Sequence, residues 1–132
     1  MLKIVKSVYE ALIDHAKADS PIEACGYLAG DNESIKKIYK MKNVDNSAEH
    51  FSFDPNEQFN ALKEAGKLGL RLTACYHSHP ATPSRPSQED IRLAYDPNIS
   101  YIIVSLAKEN PVVKSFCIKS GIANEEEIEV IE

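Results

Sequence analysis

The segment Arg71-Leu72-Thr73-Ala74-Cys75-Tyr76-His77-Ser78-His79, continued by Pro80-Ala81-Thr82-Pro83-Ser84-Arg85-Pro86-Ser87-Gln88-Glu89-Asp90, decides how the rest of the chain is read. An apolar run bounded by Gly69 and Pro80 predicts a buried strand over 70–79. Prolines at 80, 83 and 86 make the next seven residues a stiff, ordered loop. Ser87 opens a short helix that reaches about Tyr95. On a strand, residues two apart share a face, so His77 and His79 can both offer a ring nitrogen to one ion. The loop returns Ser87 and Asp90, three apart and therefore together at the start of a helix. Two imidazoles and one carboxylate leave a tetrahedral zinc with an open position for water, the catalytic rather than the structural arrangement. Taken singly, His-x-His is polar decoration at a strand end, Ser87 a helix cap and Asp90 a charge near a helix N-terminus. Those readings leave unexplained why all of these features fall within fourteen residues.

Outward from this segment the chain alternates helices and strands. Asp54-Pro55-Asn56-Glu57 combines an N-cap Asp, a first-turn Pro and a Glu three residues after the cap, which predicts a helix to Leu68 with Gly69 as its stop. Cys25 to Gly30, followed by Asp31-Asn32, reads as a strand and turn, and Ser34 to Met41 as its hairpin partner. Ser7-Val8-Tyr9-Glu10 has the form of a capping box ahead of a helix over 8–18. Strands are expected near 99–106, 111–118 and 126–131. Helices mixed with strands give an α+β or three-layer α/β/α class. No repeat or linker divides residues 1–132, which are read as one domain.

Composition bounds the function. The chain has 132 residues, 15 Lys plus Arg against 20 Asp plus Glu, and a formal charge of −5. Five of the acids (Glu125, Glu126, Glu127, Glu129 and Glu132) lie in the last eight residues, so residues 1–124 balance to zero. A neutral body without a basic run offers nothing to phosphate backbones or anionic lipid, so neither nucleic acid nor membrane is expected as a partner. The lysine-interrupted N-terminus lacks the apolar run of an export signal. Cys25, Cys75 and Cys117, odd in number and widely spaced, argue against a disulfide framework and for a reducing cytoplasm. The alternating tail Glu127-Ile128-Glu129-Val130 reads as a terminal strand whose charges blunt a sheet edge.

His77-Ser78-His79-Pro80, six residues, then Ser87-x-x-Asp90 resembles the signature of the JAMM metalloprotease family, also called MPN-plus or Mov34. Pro21-Ile22-Glu23-Ala24-Cys25-Gly26 is similar to the family's P-x-E-x-C-G segment, and the likeness runs on through Asn43–Pro55. The resemblance implies a curved mixed sheet wrapped by helices, related to the cytidine deaminase architecture. It implies zinc held by His77, His79 and Asp90, with Glu23 as catalytic base and Ser87 as oxyanion partner. Spacing alone does not choose between Glu23 and Glu89 as the base; the resemblance chooses Glu23 and leaves Glu89 solvated. Cys75 and Cys25 are read as core thiols and His15 as a partly exposed helix residue. His50 is placed beside the groove.

Small prokaryotic members of the family resemble processing enzymes for ubiquitin-like or sulfur-carrier proteins that cut after a C-terminal Gly-Gly. The predicted strands fill most of the chain after Asp90, so no large ubiquitin-gripping insertion is expected. Rival classes are a non-catalytic scaffold of the same fold, which should have lost a ligand or the glutamate, and a non-haem iron enzyme with the same two-His-one-carboxylate set. A nucleobase deaminase would need a C-x-x-C that the chain lacks.

Overall fold

The structure is a computed structural model that describes residues 1–132. In chain order the elements are β1 (Leu2–Val5), α1 (Lys6–Asp19), β2 (Cys25–Gly30), β3 (Ile35–Met41), α2 (Pro55–Lys67), β4 (Arg71–His79), α3 (Gln88–Arg92), β5 (Ser100–Ser105), β6 (Val112–Lys119), β7 (Ile122–Glu126) and β8 (Ile128–Ile131). All eight strands form one mixed sheet in the order β7-β6-β5-β4-β2-β3-β1-β8. Strands β2 and β4 are antiparallel neighbours, and β4 and β5 are parallel.

The two ends of that order explain the curvature. β7 and β8 are separated only by Glu127, yet they occupy opposite edges of the sheet. The edges must therefore approach one another, and the sheet curls round α1. Leu2 N donates to Glu127 O at 2.8 Å where the chain crosses. The sequence reading expected one strand over 126–131. The bend at Glu127 divides it, the first part pairing with β6 and the second lying parallel to β1. Strand β1 itself was not anticipated, because four residues with a lysine inside carry too little alternation to be read alone.

Inside the curl, α1 buries Val8, Leu12 and Ala16 against Ile4, Leu28, Ile35, Ala74, Tyr76, Ile102 and Val104. Burying each large aliphatic side chain contributes about 1.5–3 kcal/mol, so this face carries most of the stability. The capping box expected at Ser7 does not form. The helix grows directly out of β1, Val5 is its extended N-cap, and no side chain caps it. On the opposite face α2 lays Ala61 against Cys25 and Met41, with Tyr27, Tyr39, Phe51 and Phe53 packed around them. Helix α3 and its C-terminal turn place Ile91 and Ala94 over Ile103, Phe116 and Ile118. The layers are thus helix, sheet, helices, the expected α/β/α arrangement.

Helix α2 keeps its predicted ends. The Asp54 carboxylate accepts from Asn56 N at 2.9 Å, and Pro55 occupies the first turn. Leu70 N reaches Ala65 O at 2.9 Å and Gly69 N reaches Gly66 O at 3.1 Å, a Schellman closure that needs the positive φ of +72° at Gly69. Helix α3 is shorter than expected, ending at Arg92 with Leu93 as its C-cap. No helix is long and apolar enough to cross a membrane.

Candidate metal centre

Strand β4 splits its residues between the two faces. Ala74, Tyr76 and Ser78 face α1, whereas Cys75, His77 and His79 face α2 and α3, as the cross-strand pairs Cys25 with His77 and Tyr27 with Cys75 require. His77 and His79 are buried, and their Nε2 atoms lie 3.1 Å apart. Asp90 Oδ2 is 3.2 Å from His77 Nε2 and 3.1 Å from His79 Nε2. The three atoms form a nearly equilateral triangle. Tetrahedral zinc ligands at about 2.0–2.1 Å from the ion stand about 3.3 Å apart, so the donor set and its spacing fit that ion.

The surroundings prepare these atoms for a cation. His79 Nδ1 sits 2.9 Å from Pro83 O, an acceptor only, so Nδ1 carries the hydrogen and the lone pair of the neutral ring is on Nε2. Burial opposes the imidazolium form of His79, but its hydrogen bonds with Asp90 and Pro83 prevail and raise its pKa. Burial also opposes ionisation of Asp90, yet the hydrogen bonds from His77 and His79, with the Ser87 amide, hold its carboxyl far below the usual range. Phe51 stacks on the His77 ring with centroids 4.7 Å apart. The proline loop is pinned from below: Ser105 Oγ donates to Thr82 O and Ser84 Oγ to Val112 O, both at 2.6 Å.

Asp90 and Ser87 hold each other. Ser87 Oγ accepts from Asp90 N at 3.0 Å and Ser87 N donates to Asp90 Oδ2 at 2.9 Å, a reciprocal capping box. Ser87 is exposed, and the acceptor side of its hydroxyl is committed to the helix; its hydrogen is free to point outward.

Glu23 lies in the unpatterned segment between α1 and β2, only 3% exposed, and its Oε1 has no hydrogen-bond partner. Burial pushes its pKa to about 8; His79 offsets part of this, while Asp90, Glu89 and Glu49 add to it. A buried carboxyl oxygen without a partner costs on the order of 1–3 kcal/mol, which a fold retains where the group meets something else. Its field links it to the His79–Asp90 pair. Glu89, the other candidate, is half-exposed and pairs with Arg92 at 3.7 Å.

Four roles differ from the sequence reading or were missed by it. His15, expected to be partly exposed, is buried: its Nδ1 lies 2.7 Å from Tyr76 Oη and its Nε2 3.0 Å from Asp19. Tyr76 reaches it by crossing Gly26, where a Cβ would clash with Tyr39 O and stand 2.6 Å from the Tyr76 hydroxyl. His50 is exposed and pairs with Asp45 at 3.0 Å; it is Phe51, Ser52 and Phe53 that line the groove. Ser78, between the histidines but on the other face, accepts Ala24 N at 2.8 Å and donates its own amide to Ala24 O at 2.9 Å. Period-two alternation could have placed Ser78, but nothing local foretold its partner. Cys25 and Cys75 are buried free thiols as expected, and burial pushes Cys25 up to about 12.

A groove of about 600 Å³ opens beside His77 and Asp90, walled by Tyr27, Phe53, Leu93, Tyr95 and Tyr101 among others. A mostly apolar cleft with a few clustered polar groups is the usual form of a ligand site.

Fold and donor set together define a JAB/MPN-type domain. A solved structure described as a JAMM metalloprotease-like zinc site in the proteasome and signalosome shares the fold, with TM-score 0.66 and 24% identity over 100% of this chain and 99% of the other. The chain belongs to the prokaryotic homologues of the JAB domain, the Prok-JAB family, whose pattern matches residues 5–119. A CysO-cysteine peptidase of Mycobacterium tuberculosis is 33% identical over 100% of this chain and 92% of its own length. A desampylase of Pyrococcus furiosus is 34% identical over 67% of this chain and 63% of its own. The solution structure of a Desulfitobacterium hafniense protein superposes with TM-score 0.91 and 47% identity, covering 100% of this chain and 94% of that one.

Proposed function

We propose that the protein is a zinc-dependent peptidase or isopeptidase that hydrolyses the amide bond after the C-terminal Gly-Gly of a ubiquitin-like or sulfur-carrier protein. The observation that carries this reading is the triangle of His77, His79 and Asp90 with a buried, singly unpartnered Glu23 coupled to it. A peptidase and a desampylase among the relatives support the substrate class, the former along the whole chain. A scaffold would be expected to have lost one of these residues.

His77, His79 and Asp90 would hold the ion. Zinc in such a site supplies Lewis acidity toward a carbonyl and brings the pKa of a bound water to about 7. Glu23 accepts the proton of the attacking water and passes it to the departing amine. Burial raises the Glu23 pKa to about 8 in the metal-free site, and a cation held by the neighbouring residues would favour the ionised form that accepts the proton. The Ser87 hydroxyl turns its hydrogen toward the oxyanion while its lone pair caps α3; losing one such donor costs about 3 kcal/mol of transition-state stabilisation. Asp90 would remain ionised, because the Ser87 amide donates to its Oδ2 and a cation shared with His77 and His79 favours the carboxylate. Three free cysteines support a reducing, cytoplasmic setting.

The test is incubation of zinc-loaded protein with carriers extended beyond Gly-Gly, as peptides and as lysine isopeptides, read by intact mass. Loss of the residues beyond Gly-Gly is expected. Efficient hydrolysis of unrelated peptides with no cut after Gly-Gly would overturn the substrate class. Metal analysis after native purification decides between zinc and iron.

A further inference from the structure

Glu23 is outside any strand or helix, so no ladder of hydrogen bonds fixes its backbone. Its position is set instead by two separate clamps. On one side Ser78 takes both polar groups of Ala24. On the other side stands Asn43, buried to 3% exposure in the loop after β3. Its Nδ2 donates to Glu23 O at 3.1 Å and His50 O at 2.9 Å, with Ser47 O at 3.4 Å. Its Oδ1 accepts from Asp45 N at 3.1 Å and Ser52 N at 3.3 Å. Turning the amide over would set donor against donor and acceptor against acceptor, so the network fixes its orientation. The loop that Asn43 organises in turn accepts Glu23 N, at Ser47 O, at 2.9 Å. Both backbone polar groups of Glu23 thus depend on one side chain, directly or through its loop.

We propose that Asn43 is the positioning residue for the base Glu23. This rests on the reading of Glu23 as base. The physical reason is that Glu23 Oε1 has no hydrogen bond of its own, so the carboxyl is aimed only by its backbone and by packing. A misplacement of about 1 Å at a reacting group can cost about 10²-fold in rate. Ser78 makes the matching clamp, but it sits between two proposed ligands, so substituting it would not separate aim from metal binding.

Two variants test the proposal. Asn43→Ala removes every bond; Asn43→Asp keeps the shape and the acceptor side but replaces the donors to Glu23 O and His50 O. Both are expected to lower kcat by about 10²-fold with KM within about twofold. Zinc content should match the parent, because β4 and α3 carry the ligands. Amide hydrogen exchange should accelerate at Glu23 while Ile102 and Val104 in β5 stay protected. Unchanged exchange at Glu23 with unchanged kcat would overturn the proposal. Loss of protection throughout the sheet, or failure of both variants to fold, would also overturn it by giving Asn43 a general structural role. Should Asn43→Ala alone fail to fold, Asn43→Asp decides. Glu23→Gln is run alongside. Full turnover in that variant removes the base reading alone, and exchange at Glu23 still decides whether Asn43 holds the segment.

Discussion

Replacing Glu23 by Gln in the zinc-free protein should change how stability depends on pH. Glu23 is 3% exposed, and its pKa is raised from 4.5 to about 8, chiefly by burial. Below pH 4.5 the carboxyl is neutral in folded and unfolded chains alike. Between 4.5 and about 8 the unfolded chain releases its proton while the folded chain keeps it, so the native state binds more protons and stability falls as pH rises. Above about 8 the loss is complete. At about 1.4 kcal/mol per tenfold change in proton affinity, the interval sets an upper figure of about 5 kcal/mol. Relaxation of the surrounding chain around the ionised carboxyl reduces the expected loss to about 3 kcal/mol. Gln has no such titration, and the titrations of Asp90 and His79, present in both proteins, differ only through the field of the ionised Glu23 carboxylate. Urea unfolding of both proteins under chelator, from pH 5 to 8.5, is the assay. Glu23→Gln should gain about 3 kcal/mol on the parent across that range. Parallel curves, differing by less than about 0.5 kcal/mol in their change, would refute the account of Glu23 as a desolvated carboxyl. With zinc restored, the same variant should keep its metal and lose about 10²–10⁴-fold in turnover.

Asp90→Asn should weaken zinc retention through gel filtration by at least about tenfold, read by metal analysis, since a neutral amide replaces the one anionic ligand; full retention would refute the ligand assignment. Gly26→Ala should cost about 1–3 kcal/mol in urea unfolding, because its Cβ must displace the Tyr76 hydroxyl from above the strand. Asp54→Ala removes the cap that accepts Asn56 N and should cost about 1 kcal/mol in thermal unfolding while leaving turnover of a Gly-Gly-extended carrier unchanged.

Much of the site was legible because its parts are local. A strand places His77 and His79 on one face by period alone, and Ser87 with Asp90 forms a capping box because three residues span the first turn of a helix. The Asp54 cap and the Gly69 stop of α2 were legible for the same reason. The capping box at Ser7 failed because β1 precedes the helix without a break, and an extended Val5 already fills the cap position. His15 went unread because its burial depends on Tyr76, reached only when α1 packs inside the curled sheet.

The sequence by itself determined the residue types of the candidate metal cluster, the spacing that gathers them, the layered class of the fold and, through resemblance, the family. The tertiary structure decided the rest. The antiparallel register that sets Cys25 opposite His77 brings Glu23 to the histidines, and Asn43 and Ser78 hold it there. The bend at Glu127 sends the acidic tail to both edges of the sheet, where its charge of −5 for the chain is chiefly displayed. The physical reason is range. Backbone periodicity and capping act over a few residues, whereas the pKa of a buried carboxylate, the orientation of an amide and the closure of a sheet depend on groups that meet only after the chain has folded.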